Sequence, residues 1–243
     1  MNPTLSQILV IDIETIRSTA SYNDLSERMQ KQWEKKAFNL RNLDEITPDE
    51  MYMERAGIYA EFGQVIVIAI GFYVYQNEEW NFRVRSISSD NEKQLLEKFI
   101  EIISKFNPKT TYLCGHNGKE FDFPYVSRRL LVNGLPLPEL LDTAGKKPWE
   151  VNHIDTMELW KIGDRKNYTS LDLLAALFEI PSSKSDIDGS QVSQVYYEEN
   201  DPAGVGLERI AEYCARDVVV TAQLLLKLKG QPLINEKNIH IVE

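Results

Sequence analysis

Two acidic residues follow an apolar run near the start of the chain. Residues 8–11 are all aliphatic, and Asp12 and Glu14 come directly after them. If this run is a buried strand, the alternation of side chains places both carboxylates on the same face of the sheet. Two carboxylates this close repel each other, and clustered oxygen ligands of this kind suit hard divalent cations. The spacing therefore predicts a cation-binding site at the end of the first strand.

Two more groups of polar residues lie further along the chain. Asn117 and Asp122 stand where a short predicted strand gives way to a helix, a usual place for ligands in α/β sheets. Tyr213 and Asp217 share one face of the last predicted helix, at the border of its apolar stripe. Each pattern is weak alone, because Asn-Gly turns and aspartates beside half-buried tyrosines are common. Their order along the chain, after Asp12 and Glu14, makes the combination specific.

The combined pattern resembles the DEDD superfamily of 3′–5′ exonucleases, which have the ribonuclease H-like fold. The first motif is matched by residues 12–15, the second by residues 117–122 and the third by residues 213–217. The chain is most similar to the proofreading exonuclease domain of family B DNA polymerases and to stand-alone bacterial proteins like it. A sister branch carries histidine where this chain has Glu212, so the branch with tyrosine in the third motif is the better match.

The resemblance implies a reaction and its cofactors. It implies hydrolysis of phosphodiester bonds from the 3′ end of a nucleic acid with two divalent cations, Mg²⁺ or Mn²⁺, about 3.5–4 Å apart. On this hypothesis Asp12 bridges both ions, Glu14 and Asp217 help to hold one, and Asp122 bears on the other. Tyr213 would orient the attacking water, since a phenol with a pKa near ~10 is a poor base at neutral pH.

Substrate contacts are also implied by the resemblance. Thr15 and Ile16 would approach the terminal nucleotide, and Asn117 and Phe121 would hold the next one, although Phe121 is equally suited to core packing. Basic residues are candidates for contacts with the nucleic-acid backbone: Arg128, Arg129, Lys146, Lys147 and residues 161–166. For each of them, an ordinary solvated position on the surface is the favoured alternative. Asp155 is a fifth acid, which we expect to support the site rather than to bind a cation.

The elements that must position these residues follow from hydrophobic periodicity. Strands are predicted at 8–14, 64–75, 80–87, 110–117 and near 153–160, and helices at 93–106, 121–134, 171–180 and 207–229. Three leading strands followed by alternating helices and strands predict an α/β fold, a ribonuclease H-like mixed sheet flanked by helices. Residues 76–79 suit a hairpin turn between two of the strands.

Two segments lie outside this pattern. Residues 17–60 are polar and predict a helical insertion after the first strand, with helices at 22–36 and 44–59. Because the insertion follows the first motif, we expect it near the substrate entrance as a lid or guide. Residues 181–201 are rich in turn formers and predict an exposed loop. Within it, residues 184–192 resemble a loop of the polymerase-B-like exonucleases.

Composition sets broad limits. The chain has 243 residues and a net charge of −10, which argues mildly against a dedicated duplex binder but not against an enzyme that holds nucleic acid through cations. No run is apolar enough to span a bilayer and no secretion signal is present, so we expect a cytoplasmic location away from membranes. Cys114 and Cys214 lack metal-ligand spacing and are expected to be free buried thiols.

Alternatives remain at the level of sequence. The length suits a single exonuclease domain over residues 1–243, without a polymerase domain, so that any proofreading would act in trans. Single-stranded DNA is the favoured substrate, but the motifs do not distinguish it from RNA, because neither metals nor water read the 2′-hydroxyl. A different class of function is a non-catalytic nucleic-acid-binding module on the same fold. Four converging acids argue against that alternative, and a replication or repair partner is not identifiable.

Overall fold

The computed structural model describes residues 3–43, 45–164, 168–181, 187–199 and 204–242. The strands are β1 (Ile8–Arg17), β2 (Gly63–Gln76), β3 (Glu79–Ser88), β4 (Tyr112–Gly115), β5 (Ile154–Asp155) and β6 (Ile239–Val242). The α-helices are α1 (Glu27–Phe38), α2 (Pro48–Arg55), α3 (Glu92–Ile103), α4 (Asp122–Val132), α5 (Thr156–Lys161), α6 (Leu171–Leu177), α7 (Val192–Glu199) and α8 (Val205–Leu228).

The described strands form one mixed sheet in the order β5-β4-β1-β2-β3-β6. Strand β2 runs antiparallel to both of its neighbours, β1 and β3, whereas the pairs β1–β4, β4–β5 and β3–β6 are parallel. Asn77 and Glu78 make the two-residue turn between β2 and β3 with φ of 54° and 64°. Left-handed conformations at both positions match the twist of a hairpin, so the predicted turn is confirmed. The mixed sheet flanked by helices is the predicted ribonuclease H-like architecture.

Helices cover both faces of the sheet. Helices α3 and α4 pack on one face, and α7 and α8 pack on the other. The 24-residue α8 crosses the sheet closely at Gly71, where a Cβ atom would lie 2.7 Å from Cγ1 of Val218. This close crossing brings the polar border of α8 next to β1.

None of the described helices, α8 included, is both long and apolar enough to cross a membrane.

The insertion after β1 is helical, as predicted, and has a small core of its own. Trp33 is fully buried between α1 and α2, and its indole N–H donates to the carbonyl of Pro48 at 2.6 Å. The hydroxyl of buried Tyr52 lies 2.8 Å from the Thr19 hydroxyl, just beyond the end of β1. An aromatic core of this kind fixes the insertion against the sheet, because large buried rings lose contacts if they move.

Three sequence predictions need correction or extension. The predicted exposed loop over 181–201 contains α7, which buries Val192 and Val195 against α8; the apolar pattern is too short to reveal such a helix. Residues 182–186 and 200–201 of this segment lie outside the described part of the chain. Strand β6 was not predicted and pairs in parallel with β3, while the segment near 153–160 forms β5 followed by α5.

A buried ion pair joins α3, α4 and the end of the insertion. Glu92, 8% exposed, accepts the Nε–H of Arg129 and the amide of Val65, both at 2.8 Å. Arg129 also donates to the carbonyl of Ala60 at 2.8 Å. Because this guanidinium is enclosed by protein acceptors, the proposed contact of Arg129 with a nucleic-acid backbone is wrong.

The ion pair leads to a stability prediction. Arg129→Ala leaves the Glu92 carboxylate buried without its cation, and we expect the free energy of unfolding to fall by about 3–5 kcal/mol. The control is Lys237→Ala, which removes an exposed partner 3.5 Å from Glu79 and should change stability by less than about 1 kcal/mol. Chemical denaturation of both variants measures the difference, and equal small losses would show that the Glu92 pair contributes no more than a surface pair.

Candidate active site

A cleft of about 700 Å³ opens beside β1, the first turn of α4 and the middle of α8. Its lining includes most of the predicted site residues: Asp12, Glu14, Thr15, Asn117, Phe121, Asp122, Tyr213 and Asp217. These residues come from three distant parts of the chain, and the sheet and its helices bring them together. The structure thus assembles one acidic cleft from the three sequence motifs.

Asp12 and Glu14 lie on the face of β1 that α8 covers. The Sγ atom of Cys214, on α8, donates to Oδ2 of Asp12 at 3.3 Å and lies 3.4 Å from the Asp12 carbonyl oxygen. Ligand atoms of Asp12, Glu14 and Cys214 lie within 4.8 Å of one another. Cys214 is a buried free thiol, as predicted, and its hydrogen bond ties the strand to the helix. The two carboxylates are therefore held close together despite their repulsion.

Asp122 reaches the same cleft from the N-terminus of α4. The pairing of β1 with β4 ends at Val10, which leaves the later amides on that edge of β1 for other acceptors. Oδ1 of Asp122 accepts the amide N–H of Ile13 at 3.1 Å, between the two acids of β1. Asp122 is only 4% exposed. A backbone hydrogen bond thus sets the position of the third acid relative to the first two.

Burial and mutual repulsion shift the acidity of this cluster. Burial, followed by the charges of neighbouring acids, raises the pKa of Asp12 and of Glu14 well above the ordinary values. Burial also raises the pKa of Asp122 from 3.8 to about 7, although its backbone hydrogen bonds act in the opposite direction. Carboxylates in this state gain most from a divalent cation, and carboxylate oxygens are the donors that Mg²⁺ and Mn²⁺ prefer. The donor set therefore fits such cations.

Tyr213 and Asp217 are neighbours on α8 at the edge of the same cleft. Burial, then the charges of Asp217 and Glu14, raises the pKa of the Tyr213 phenol, and a hydrogen bond to the Asp217 side chain adds to the shift. The phenol is therefore uncharged at neutral pH and can act there as a hydrogen-bonding group rather than as a base.

Asp155 supports the loop that carries the second motif. Its buried carboxylate caps α5 and accepts the amides of Asn117 at 3.0 Å and of Lys119 at 3.1 Å. Because these N–H groups occupy the carboxylate, Asp155 supports the site from outside the cleft, as expected. Asn117 is held in a left-handed conformation with φ of 61°, and its Oδ1 is buried without a hydrogen-bond partner among the described residues. This unpaired oxygen is a strained feature of the loop, since a buried acceptor without a partner costs free energy.

Two of the predicted substrate contacts differ in their environment. Phe121 lines the cleft while its ring packs 5.3 Å from that of Tyr125, so it combines core packing with an open edge. Ile16 is fully buried in the core beneath α7 and α8, and its predicted contact through the side chain is wrong. The strand alternation that orients Glu14 toward α8 orients Ile16 the same way, into a part of the interface that is closed.

The structure adds cleft residues that sequence reasoning missed. Tyr168 is 67% exposed and lines the cleft. The neighbouring carbonyl of Thr169 accepts the Nε2–H of His116 at 2.8 Å, which anchors this segment to the end of β4. No spacing in the sequence marks Tyr168, because its position depends on a long-range hydrogen bond.

The remaining basic candidates that lie within the described residues do not contribute to the cleft lining. Arg128, Lys146, Lys147 and Lys161 lie elsewhere, and the Lys147 ammonium sits 5.3 Å from the centre of the Trp149 ring. Arg165 and Lys166 are outside the described residues, as are residues 184–186 of the loop that resembles polymerase-B-like exonucleases. The later part of that loop does reach the cleft, through residues 188–190.

Another cavity, of about 850 Å³, lies beside β5 and the C-terminal end of α8. Of the predicted acids only Asp155 lines it, and its carboxylate already accepts backbone N–H groups. The chemistry of the chain therefore points to the smaller, acidic cleft.

Comparison with known proteins identifies the family of the chain. Residues 59–232 match a family described as a predicted 3′–5′ exonuclease related to the exonuclease domain of PolB, and the chain belongs to that family. The match begins after β1, so it does not include Asp12 and Glu14.

Named relatives are DNA polymerases. The chain is 27% identical over 161 residues to a DNA polymerase of Pyrococcus glycovorans and 26% identical to DNA polymerase 1 of Pyrococcus abyssi. In each case 59% of this chain is covered, but only 20% of the polymerase. The fold resembles that of the family B DNA polymerase of Pyrobaculum calidifontis, with a TM-score of 0.54, 18% identity, 90% of this chain covered and 24% of the other.

The raised pKa of Asp122 predicts how stability changes with pH in the absence of metal. Between pH 4 and pH 7 an unfolded aspartate ionises freely, whereas the folded protein keeps the Asp122 proton, so this group lowers stability as pH rises. Asp122→Asn retains the acceptor for the Ile13 amide and removes the charge. We expect the variant to match wild type near pH 4 and to exceed it above pH 7, by at most about 4 kcal/mol.

Denaturation in EDTA across this pH range measures the effect. Addition of Mn²⁺ should raise the melting temperature of the wild type more at pH 8 than at pH 5, because the cation competes with protons for the carboxylates. If the stability of wild type and of Asp122→Asn changed with pH in the same way, the raised pKa of Asp122 would be contradicted.

Proposed function

We propose that the protein is a metal-dependent 3′–5′ exonuclease, of the branch with tyrosine in the third motif, that acts on single-stranded DNA. The observation that carries the proposal is the convergence of Asp12, Glu14, Asp122 and Asp217 in one cleft. Family membership supports the same reaction class. Burial and neighbouring acids raise the pKa of Asp12, Glu14 and Asp122, which is unfavourable for stability and typical of a functional site.

The four acids would hold two divalent cations, Mg²⁺ or Mn²⁺. When bound, such ions stabilise negative charge on the phosphoryl oxygens and lower the pKa of a bound water. The contribution of the protein is to keep its oxygen donors in place. The thiol of Cys214 orients Asp12, and the amide of Ile13 orients Asp122.

The other residues in the cleft have roles that follow from their chemistry. The neutral phenol of Tyr213, next to Asp217, would orient the attacking water without removing its proton. Asn117, which lines the cleft, would help to hold the substrate. Thr15 and the open edge of Phe121 would contact the terminal nucleotides. Contact between a base and an aromatic side chain tolerates any base, which suits trimming of a strand of any sequence.

Loss of a metal ligand tests the proposal. Asp12→Asn should reduce hydrolysis of a 5′-labelled single strand at least about 10³-fold, the scale on which loss of transition-state charge stabilisation acts, and should not lower stability. The control is Glu101→Gln, an exposed acid on α3 away from the cleft, which should keep full activity.

The same assay compares Mg²⁺ and Mn²⁺ with EDTA, and single-stranded DNA with RNA and with duplex ends. A ladder of products shortened from the 3′ end, seen with Mg²⁺ or Mn²⁺ but not with EDTA, supports the proposal. A shift in gel mobility without degradation would instead indicate a binding module, and faster degradation of RNA would reassign the substrate.

The two tyrosines of the cleft make a matched test of the role of Tyr213. Tyr213→Phe removes the hydroxyl next to Asp217 and should lower kcat by about 10- to 100-fold, less than loss of an acid. Tyr168→Phe keeps the ring at the exposed cleft edge and should change kcat by less than about threefold. Equal losses in both variants would contradict a specific water-orienting role for Tyr213.

A further inference from the structure

The return segment of the insertion forms part of the wall of the acidic cleft. A 3₁₀ turn, Ala56–Ile58, follows α2, and Glu54, Gly57 and Ile58 line the same cleft as the catalytic acids. Ile58 is 55% exposed there. A large aliphatic side chain left open beside a cluster of carboxylates gains contacts when a ligand with an apolar surface enters the cleft.

A set of buried contacts holds this turn on β1. The hydroxyl of Tyr125, on α4, donates to the carbonyl of Gly57 at 2.8 Å. A Cβ atom at Gly57 would lie 3.2 Å from the carbonyl carbon of Ile16, so the turn lies directly against the strand. Tyr125 therefore links the insertion, the strand that bears Glu14 and the helix that begins at Asp122.

Contacts on the far side of the turn make the same segment rigid. Arg129 donates to the carbonyl of Ala60, and the amide of Ser18 donates to the carbonyl of Phe62 at 2.9 Å. The ring of Tyr59 packs near that of Trp33, in the core of the insertion. With both ends fixed, the segment is a wall of the cleft rather than a lid that must close.

From this arrangement we infer that Ile58 is a substrate-binding residue that contacts a nucleobase at the 3′ end of the strand. The inference rests on the proposed exonuclease function and adds a contact from the turn after α2, which lies just before the start of the family match at residue 59. A nucleobase is the apolar, flat part of the substrate, and its face is excluded from water when it lies on an aliphatic side chain. Phosphates, by contrast, gain nothing from contact with isoleucine.

The first experiment compares two exposed aliphatic residues of the insertion. Ile58→Ala should raise KM for a 5′-fluorescein-labelled oligodeoxythymidine about fivefold to tenfold and leave kcat within about twofold, since the contact is equal in the ground and transition states. The control is Leu43→Ala, which truncates a side chain that is 70% exposed and outside the cleft lining. Binding of the same strand in Ca²⁺, measured by fluorescence anisotropy, should weaken by the same factor for Ile58→Ala alone.

The second experiment asks whether the contact is to a base. Strands that lack the base at the last or at the second-last position are compared with the intact strand for wild type and Ile58→Ala. On one of these strands the effect of the variant should disappear, because the partner of Ile58 is missing. An effect that persists undiminished on both strands, or an Ile58→Ala variant that behaves like Leu43→Ala, overturns the inference.

A pair of tyrosines tests the anchor of the turn. Tyr125→Phe removes the hydrogen bond to Gly57 and should raise KM as Ile58→Ala does. Tyr73→Phe is the control, because this equally buried hydroxyl donates at 2.8 Å to the carbonyl of Ala222, on the opposite face of the sheet. A wild type that neither binds nor degrades the strand overturns the proposed function and this inference together, whereas an active wild type with unaffected variants overturns the inference alone.

Discussion

The main constraint on the site is the repulsion among four acidic side chains that line one cleft and are partly shielded from water. Burial raises the pKa of Asp12 and of Glu14, and the charges of the neighbouring acids raise it further. The fold holds them together with contacts to neighbouring elements: the thiol of Cys214 on Asp12, the amide of Ile13 on Asp122, and the close crossing of α8 over β1. The large sheet core offsets this local instability, as is common at sites where function opposes stability.

The insertion shows how an added element can take part in an existing site without changing the scaffold. Its helices surround Trp33, while its return segment follows β1 and reaches the cleft at Ile58. The anchoring residues, Tyr125 and Arg129, belong to α4, the same helix that carries Asp122. One helix therefore positions both a carboxylate and the wall of the cleft, so movement of α4 would disturb both.

Local periodicity predicted which of the acidic residues share a face of their element. The two-residue period of a strand places Asp12 and Glu14 on one face, and the turn of a helix does the same for Tyr213 and Asp217. The hairpin after β2 and the main helices also followed from short-range patterns, because these elements are decided by neighbours in sequence. The mixed sheet followed from the order of strands and helices.

Only the tertiary structure decided what each side chain faces. Ile16 follows the same alternation as Glu14, yet packing against α7 makes it core. The sequence around Arg129 is typical of a surface cation, yet its guanidinium is paired with the buried carboxylate of Glu92, 37 residues earlier in the chain. Tyr168 and Ile58 enter the cleft through hydrogen bonds made by other segments. Such contacts join residues far apart in the chain. The spacing of residues within one helix or strand does not predict them, because they form only when the elements pack together.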